Sequence, residues 1–133
     1  MKIYLDFDGT IVESDYPNIG KYNTGCFDVI KKLQNAGHII VLNSYRCEAN
    51  NGTFDDAMNF LNNPLNNLKS ITEFNENKII PPEFNLQSFI QNKIIFIDDL
   101  CKGTPLKIAT NKTDTTIVDF YSLDKLFLEN NIY

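Results

Sequence analysis

The chain has 133 residues, enough for one domain with a real core and not for two. Apolar residues make up 43% and charged residues 22%, the composition of an ordinary globular protein. Twelve basic against seventeen acidic residues leave a formal charge of −5, which argues against a nucleic-acid groove or an anionic membrane surface, and no apolar run reaches the roughly 18 residues of a membrane span.

The expected elements alternate. "KIYL" at Lys2 to Leu5 is a short buried strand. Glu13 to Asn23, with Pro17 and Gly20, is a loop or small hairpin. "CFDVIKKLQNAG" places Phe27, Ile30 and Leu33 on one helical stripe and stops at Gly37. "HIIVLN" is an unbroken apolar strand of the buried parallel type. "TFDDAMNFLNN" is a helix with Thr53 as its cap, ending before Pro64. "LKSITEF" is a third strand, "PEFNLQSFIQN" a helix, "KIIFIDD" a fourth strand and "TTIVDF" an edge strand. "SLDKLFLENN", capped by Ser122, is the last helix. His38 opens the second strand at the wrong end for chemistry and is read as structural. Cys26, Cys47 and Cys101, odd in number and without metal-type spacing, are read as free thiols of a cytoplasmic protein. No signal peptide is visible before the first strand.

This alternation predicts an α/β fold, a Rossmann-like three-layer sandwich with a mostly parallel central sheet, formed by residues 1–133 as one domain. In such sheets ligands bind beyond the carboxyl ends of the strands. Asp6 and Asp8, Ser44, and Asp98 and Asp99 all follow predicted strands directly. Four carboxylates gathered at one sheet edge repel one another unless a cation shares them. Oxygen ligands without clustered His or Cys point to Mg²⁺, which completes its shell with water and substrate phosphate.

"LDFDGTI", "VLNSYR" and "IFIDD" together resemble the first, second and fourth motifs of the haloacid dehalogenase (HAD) superfamily of phosphohydrolases, in the same order and over Ile3 to Asp99. The resemblance implies a Mg²⁺-dependent phosphatase that hydrolyses a small phosphorylated substrate through an aspartyl-phosphate. Asp6 would be the nucleophile, and Asp8 the general acid and then base, which requires it to carry a proton at the start. Ser44 would donate to a phosphoryl oxygen. The metal would be held by Asp6, the backbone carbonyl of Asp8, Asp98, and Asp99 directly or through water. Gly9 fits a sharp turn, and Thr10 either orders that turn or starts a helix in solvent. Both are candidate substrate contacts, together with Ser44 and with Arg46, which could hold a second acidic group or form a surface ion pair. For the lysine of the third motif, Lys78 lies 20 residues before Asp98 and beyond the third strand; Lys102 and, less suitably, Lys93 compete with it.

Family members often carry a cap domain after the first or second motif. Only 36 residues separate Asp8 from Ser44, and 54 separate Ser44 from Asp98, which leaves no room for one. A small capless enzyme with an open site is expected, where a neighbouring subunit of a homo-oligomer could serve as lid. The alternatives are a receiver-like domain, which also uses a phosphoaspartate, and a non-catalytic phosphate- or partner-binding domain.

Overall fold

The computed structural model describes residues 1–110 and 115–133. Four strands, β1 (Lys2–Leu5), β2 (Ile39–Leu42), β3 (Glu73–Phe74) and β4 (Ile94–Ile97), form one parallel sheet in the order β3-β2-β1-β4. Around them run α1 (Cys26–Asn35), α2 (Arg46–Ala49), α3 (Thr53–Leu61), α4 (Leu86–Asn92) and α5 (Phe120–Glu129). The chain moves from β1 to β2 to β3, then crosses back to the far side of β1, so the topological reversal falls beside β1.

The two faces of the sheet are built differently. Tyr4 of β1 and Phe96 of β4 are register partners, with ring centroids 5.3 Å apart, and Phe89 of α4 packs on Phe96 at 5.8 Å. Residues two apart on a strand share a face, so Ile3 and Leu5 point the other way, both fully buried. On the helical layer of that other face, α1 and α3 meet through Phe27 and Phe60, and Phe60 reaches Phe7 just past β1. The result is a three-layer sandwich whose reversal point opens at the carboxyl edge.

The alternating α/β architecture and its parallel sheet are those expected from the sequence; the differences are local. The third strand shrinks from "LKSITEF" to Glu73–Phe74. Side-chain amides take the backbone groups that a longer ladder would use: Asn62 binds both the N–H and the carbonyl of Ile71, and Gln34 does the same for Lys69. "TTIVDF" is not an edge of the main sheet. Its strand β6 (Thr116–Val118) pairs antiparallel with β5 (Leu106–Ile108) in a separate hairpin. That hairpin leans on the loop after β1, where the Val118 N–H donates to the Gly9 carbonyl and the buried Asn23 amide donates to the carbonyls of both Thr10 and Val118. The helix caps also differ. Asp119 caps α5 by accepting from the Ser122 N–H and hydroxyl, and α3 begins after Gly52, with Asn51 accepting from the Thr53 N–H and hydroxyl. His38 bridges the Met1 amino group and the Ile132 carbonyl. All three cysteines are unpaired, and burial pushes each thiol up, Cys26 furthest.

Candidate active site

The strand order brings four loops side by side at the carboxyl edge: the one after β3 with Lys78, after β2 with Ser44, after β1 with Asp6 and Asp8, and after β4 with Asp98 and Asp99. Asp6 and Asp98 are both buried. Lys78 Nζ lies 3.4 Å from Asp6 Oδ1 and 3.1 Å from Asp98 Oδ2. One ammonium thus serves two carboxylates, and Asp99 adds a third. One carboxylate oxygen from each of Asp6, Asp98 and Asp99 falls within 4.8 Å of the others.

The electrostatics follow from that imbalance. Burial raises the Asp6 carboxyl well above its ordinary value; Asp98 adds to this and Lys78 opposes it. Burial also raises Asp99. Burial alone would lower Lys78, but Asp6 and Asp98 together hold it above its usual value. Among the described residues, Asp99 Oδ1 is buried without a hydrogen-bond donor, and Asp98 Oδ2 has no donor in hydrogen-bond geometry besides its ion-pair contact with Lys78. Buried carboxylate oxygens left this way are costly unless something positive meets them. The donor set therefore fits a hard divalent cation such as Mg²⁺.

Lys78 is delivered by a loop rather than by a strand. The Asn43 side chain, just past β2, donates to the Ile79 carbonyl at 2.9 Å and accepts from the Ile79 N–H at 2.8 Å. Glu48 accepts from the Lys78 N–H at 2.9 Å, and Asn75 donates to Asn43 at 3.1 Å. Of the competing lysines, Lys93 sits at the other end of β4, where its carbonyl accepts from the Lys2 N–H. Lys102 is exposed in the loop after β4.

Asp8 is paired with a different cation, and the expectation for Arg46 is corrected here. Arg46 is 0% exposed and is spent inside the protein. Its Nε and one terminal nitrogen each donate to an Asp8 oxygen at 2.8 Å. The remaining N–H groups go to the carbonyls of Asn18 at 2.8 Å, Thr53 at 3.2 Å and Pro17 at 3.4 Å. The guanidinium also lies over the rings of Phe7 and Tyr16. It has nothing left for a substrate. Asp8, whose side chain is 20% exposed, is accordingly a poor side-chain metal ligand, and its carboxylate lies outside the Asp6–Asp98–Asp99 group.

Gly9 and Thr10 are likewise framework rather than substrate contacts. The Gly9 N–H is taken by the Val12 carbonyl. Gly9 has φ +80°, and a Cβ there would stand 2.4 Å from Asp99 Oδ2, so glycine is what lets Asp99 come close. Thr10 is buried; its hydroxyl accepts from the Asp99 N–H at 3.3 Å and makes a long 3.5 Å contact with Asp6. Ser44 Oγ accepts from the Arg46 N–H at 3.2 Å, which leaves its own proton to donate. It lines a cavity of about 300 Å³ with Asp6, Asp8, Lys78 and Asp99. The residues that sequence reasoning missed, Asn43 and Glu48, act on backbone 36 and 30 positions away and leave no local pattern.

No family model matches the chain, and no curated protein matches it. Among solved structures, the chain is similar to one described as a conserved protein from Bacteroides thetaiotaomicron, with a TM-score of 0.60 and 23% identity, covering 98% of this chain and 91% of that one. At that identity the likeness bears on the fold alone.

Proposed function

We propose that this protein is a Mg²⁺-dependent phosphomonoesterase of the haloacid dehalogenase type, acting on a small phosphorylated substrate in the cytoplasm. The observation that carries the reading is the cluster of Asp6, Asp98 and Asp99 around a single Lys78 at the sheet reversal, more acidic than its own cation can balance. Asp6, Asp98 and Asp99 would hold Mg²⁺, with the Asp8 backbone carbonyl as the resemblance implies; the metal would neutralise the carboxylates and the incoming phosphate and so let an anionic nucleophile approach.

In this reading an Asp6 oxygen attacks phosphorus, the ester P–O bond breaks, and the alcohol leaves with a proton that Asp8 would supply. Water then attacks the same phosphorus, releasing phosphate and restoring Asp6. Lys78 and the Ser44 hydroxyl meet the phosphoryl oxygens as charge builds on them. Asp8, held through both oxygens by Arg46, would then take a proton from the attacking water and so regain the one given to the alcohol. A receiver-like arrangement would want its phosphoacceptor aspartate beyond the third strand, where this chain has Asn75.

The test is hydrolysis of p-nitrophenyl phosphate with Mg²⁺ and with chelator, combined with chemical trapping of the phosphoenzyme. A Mg²⁺-dependent rate with the acyl-phosphate mapped to Asp6 is expected. Phosphate found on another residue, or a rate indifferent to the metal, would reject the mechanism.

A further inference from the structure

The mouth of the cavity carries two aromatic rings and a leucine, with Ser14 beside them, although its floor is acidic. Tyr16, in the loop after β1, is 40% exposed; Tyr45, between β2 and α2, is 54% exposed; Leu100, after β4, is 72% exposed. All three line the cavity. They come from three different loops, so their meeting is a product of the fold and not of one apolar stretch.

Two features distinguish this rim from scattered surface residues. The first is that Tyr16 is held at both ends. The Arg46 guanidinium lies 5.2 Å from its ring centroid, and Asn51 donates to its hydroxyl at 2.8 Å. The Tyr45 ring meets it at 5.8 Å and 68°, an edge-to-face pair. A half-exposed ring fixed in this way is a prepared wall, with little ordering left to do when another ring arrives.

The second is charge. The four site carboxylates face two cationic side chains. Arg46 is fully used by Asp8 and backbone carbonyls, and Lys78 is shared by Asp6 and Asp98. One divalent cation, held as proposed, would bring the set to formal neutrality without the phosphate. Among the described residues lining the cavity, Lys78 is the only cation, so a second acidic group on the substrate would meet none that is free.

We infer that the substrate is a phosphomonoester of an uncharged aromatic alcohol, whose ring seats against Tyr16, Tyr45 and Leu100 while its single phosphate enters among Asp6, Ser44 and Lys78. This rests on the phosphatase reading and narrows it. Tyr16 and Tyr45 set specificity and do not touch the reacting atoms.

The experiment compares benzyl phosphate, 4-carboxybenzyl phosphate and glycerol 3-phosphate, whose leaving alcohols differ little in acidity. With Mg²⁺, kcat/KM for benzyl phosphate should exceed that for glycerol 3-phosphate by about tenfold, the scale of one aromatic contact with its buried area. The added carboxylate should cost about as much again. Tyr45→Ala should pull the benzyl-to-glycerol ratio toward one, and Tyr45→Phe should keep it. A ratio near one in the parent, or equal use of the carboxylated compound, overturns the inference while the hydrolase stands.

A second readout separates the two readings. Thermal shift with benzylphosphonate and with methylphosphonate, neither of which can be hydrolysed, reports seating without turnover. Preferential stabilisation by benzylphosphonate, lost in Tyr45→Ala, supports the aromatic seat even if no ester is cleaved, in which case the hydrolase reading fails alone. Equal shifts from both phosphonates overturn the inference, as does a dimer in sedimentation that Tyr45→Ala dissociates, since the rim would then face a second copy.

Discussion

Asp6 and Asp8 stand two residues apart on the same loop, yet their surroundings solve the problem of a carboxylate in opposite ways. Asp8 is matched: one guanidinium, fully buried, meets both its oxygens in a planar fork. Asp6 is under-matched: it shares one ammonium with Asp98 and crowds against Asp99. A matched pair adds order and asks for nothing further. An under-matched cluster binds whatever brings positive charge. In the proposed reading the difference would put metal and nucleophile on the Asp6 side of one short motif, and leave Asp8 as a clamped carboxylate that only handles protons.

The sharpest way to break this contrast is to remove each carboxylate without changing its shape. Asp6→Asn should lower turnover by about a thousandfold or more, as expected for a lost nucleophile, while its melting temperature without metal holds or rises, because a repelling charge has gone. Asp8→Asn should lose rate and stability together, since it strands the Arg46 charge. If Asp6→Asn melts well below the parent, or Asp8→Asn does not, the division between the two fails.

Next in size is the clamp itself. Arg46→Ala should destabilise by about 3 kcal/mol, the low end for breaking a buried pair, as Asp8 keeps some solvent. A cycle with Asp8→Asn should show the two effects to be strongly non-additive. Additive losses in denaturant unfolding would mean that Arg46 is held by its backbone carbonyls alone.

Lys78→Ala should cost about a hundredfold in rate under saturating Mg²⁺, comparable to losing one preorganised charge. Lys102→Ala should stay near the parent value. The reverse result would move the site lysine to the loop after β4.

The smallest effect is on pH and metal. Asp6 and Asp99 have raised native values, so the native state keeps protons that the unfolded chain has already released. Stability should therefore fall as pH rises from the ordinary carboxylate value of 3.8 through the raised native ones. Lys78, also raised, contributes in the other range: its stabilisation is complete below its ordinary value of 10.5 and is lost as pH climbs through the native one. Mg²⁺ at neutral pH should add on the order of 3–6 °C to the melting temperature and flatten the acidic-side slope. A chelator that leaves both unchanged would show that Lys78 alone suffices for the cluster.

The parts of the molecule that could be read in the sequence share a cause. β1, β2 and β4 are apolar runs that end in acidic or hydroxyl residues, so run and ending reinforce each other, and the sheet order then needs only right-handed crossovers. What escaped reading depends on partners far along the chain. Arg46 finds Asp8 38 residues back, and nothing around position 46 announces it. β3 lost most of its length to the amides of Gln34 and Asn62. The β5–β6 hairpin has a half-exposed first strand with no run to mark it. That Tyr16 and Tyr45 meet each other is a property of the loops after β1 and β2.

The hold of Asn43 on the loop after β3 has a consequence for how such a protein can change. A lysine at the end of a strand is placed by counting, and each inserted residue would move it. Here the backbone beside Lys78 is fastened by the two bonds of Asn43 to Ile79 and the bond of Glu48 to Lys78. The chain on either side is then free to lengthen, shorten or drift in sequence. Fixing the residue at an anchor point uncouples its location from the number of residues that lead to it, so relatives could keep the same ammonium in the same place at quite different intervals.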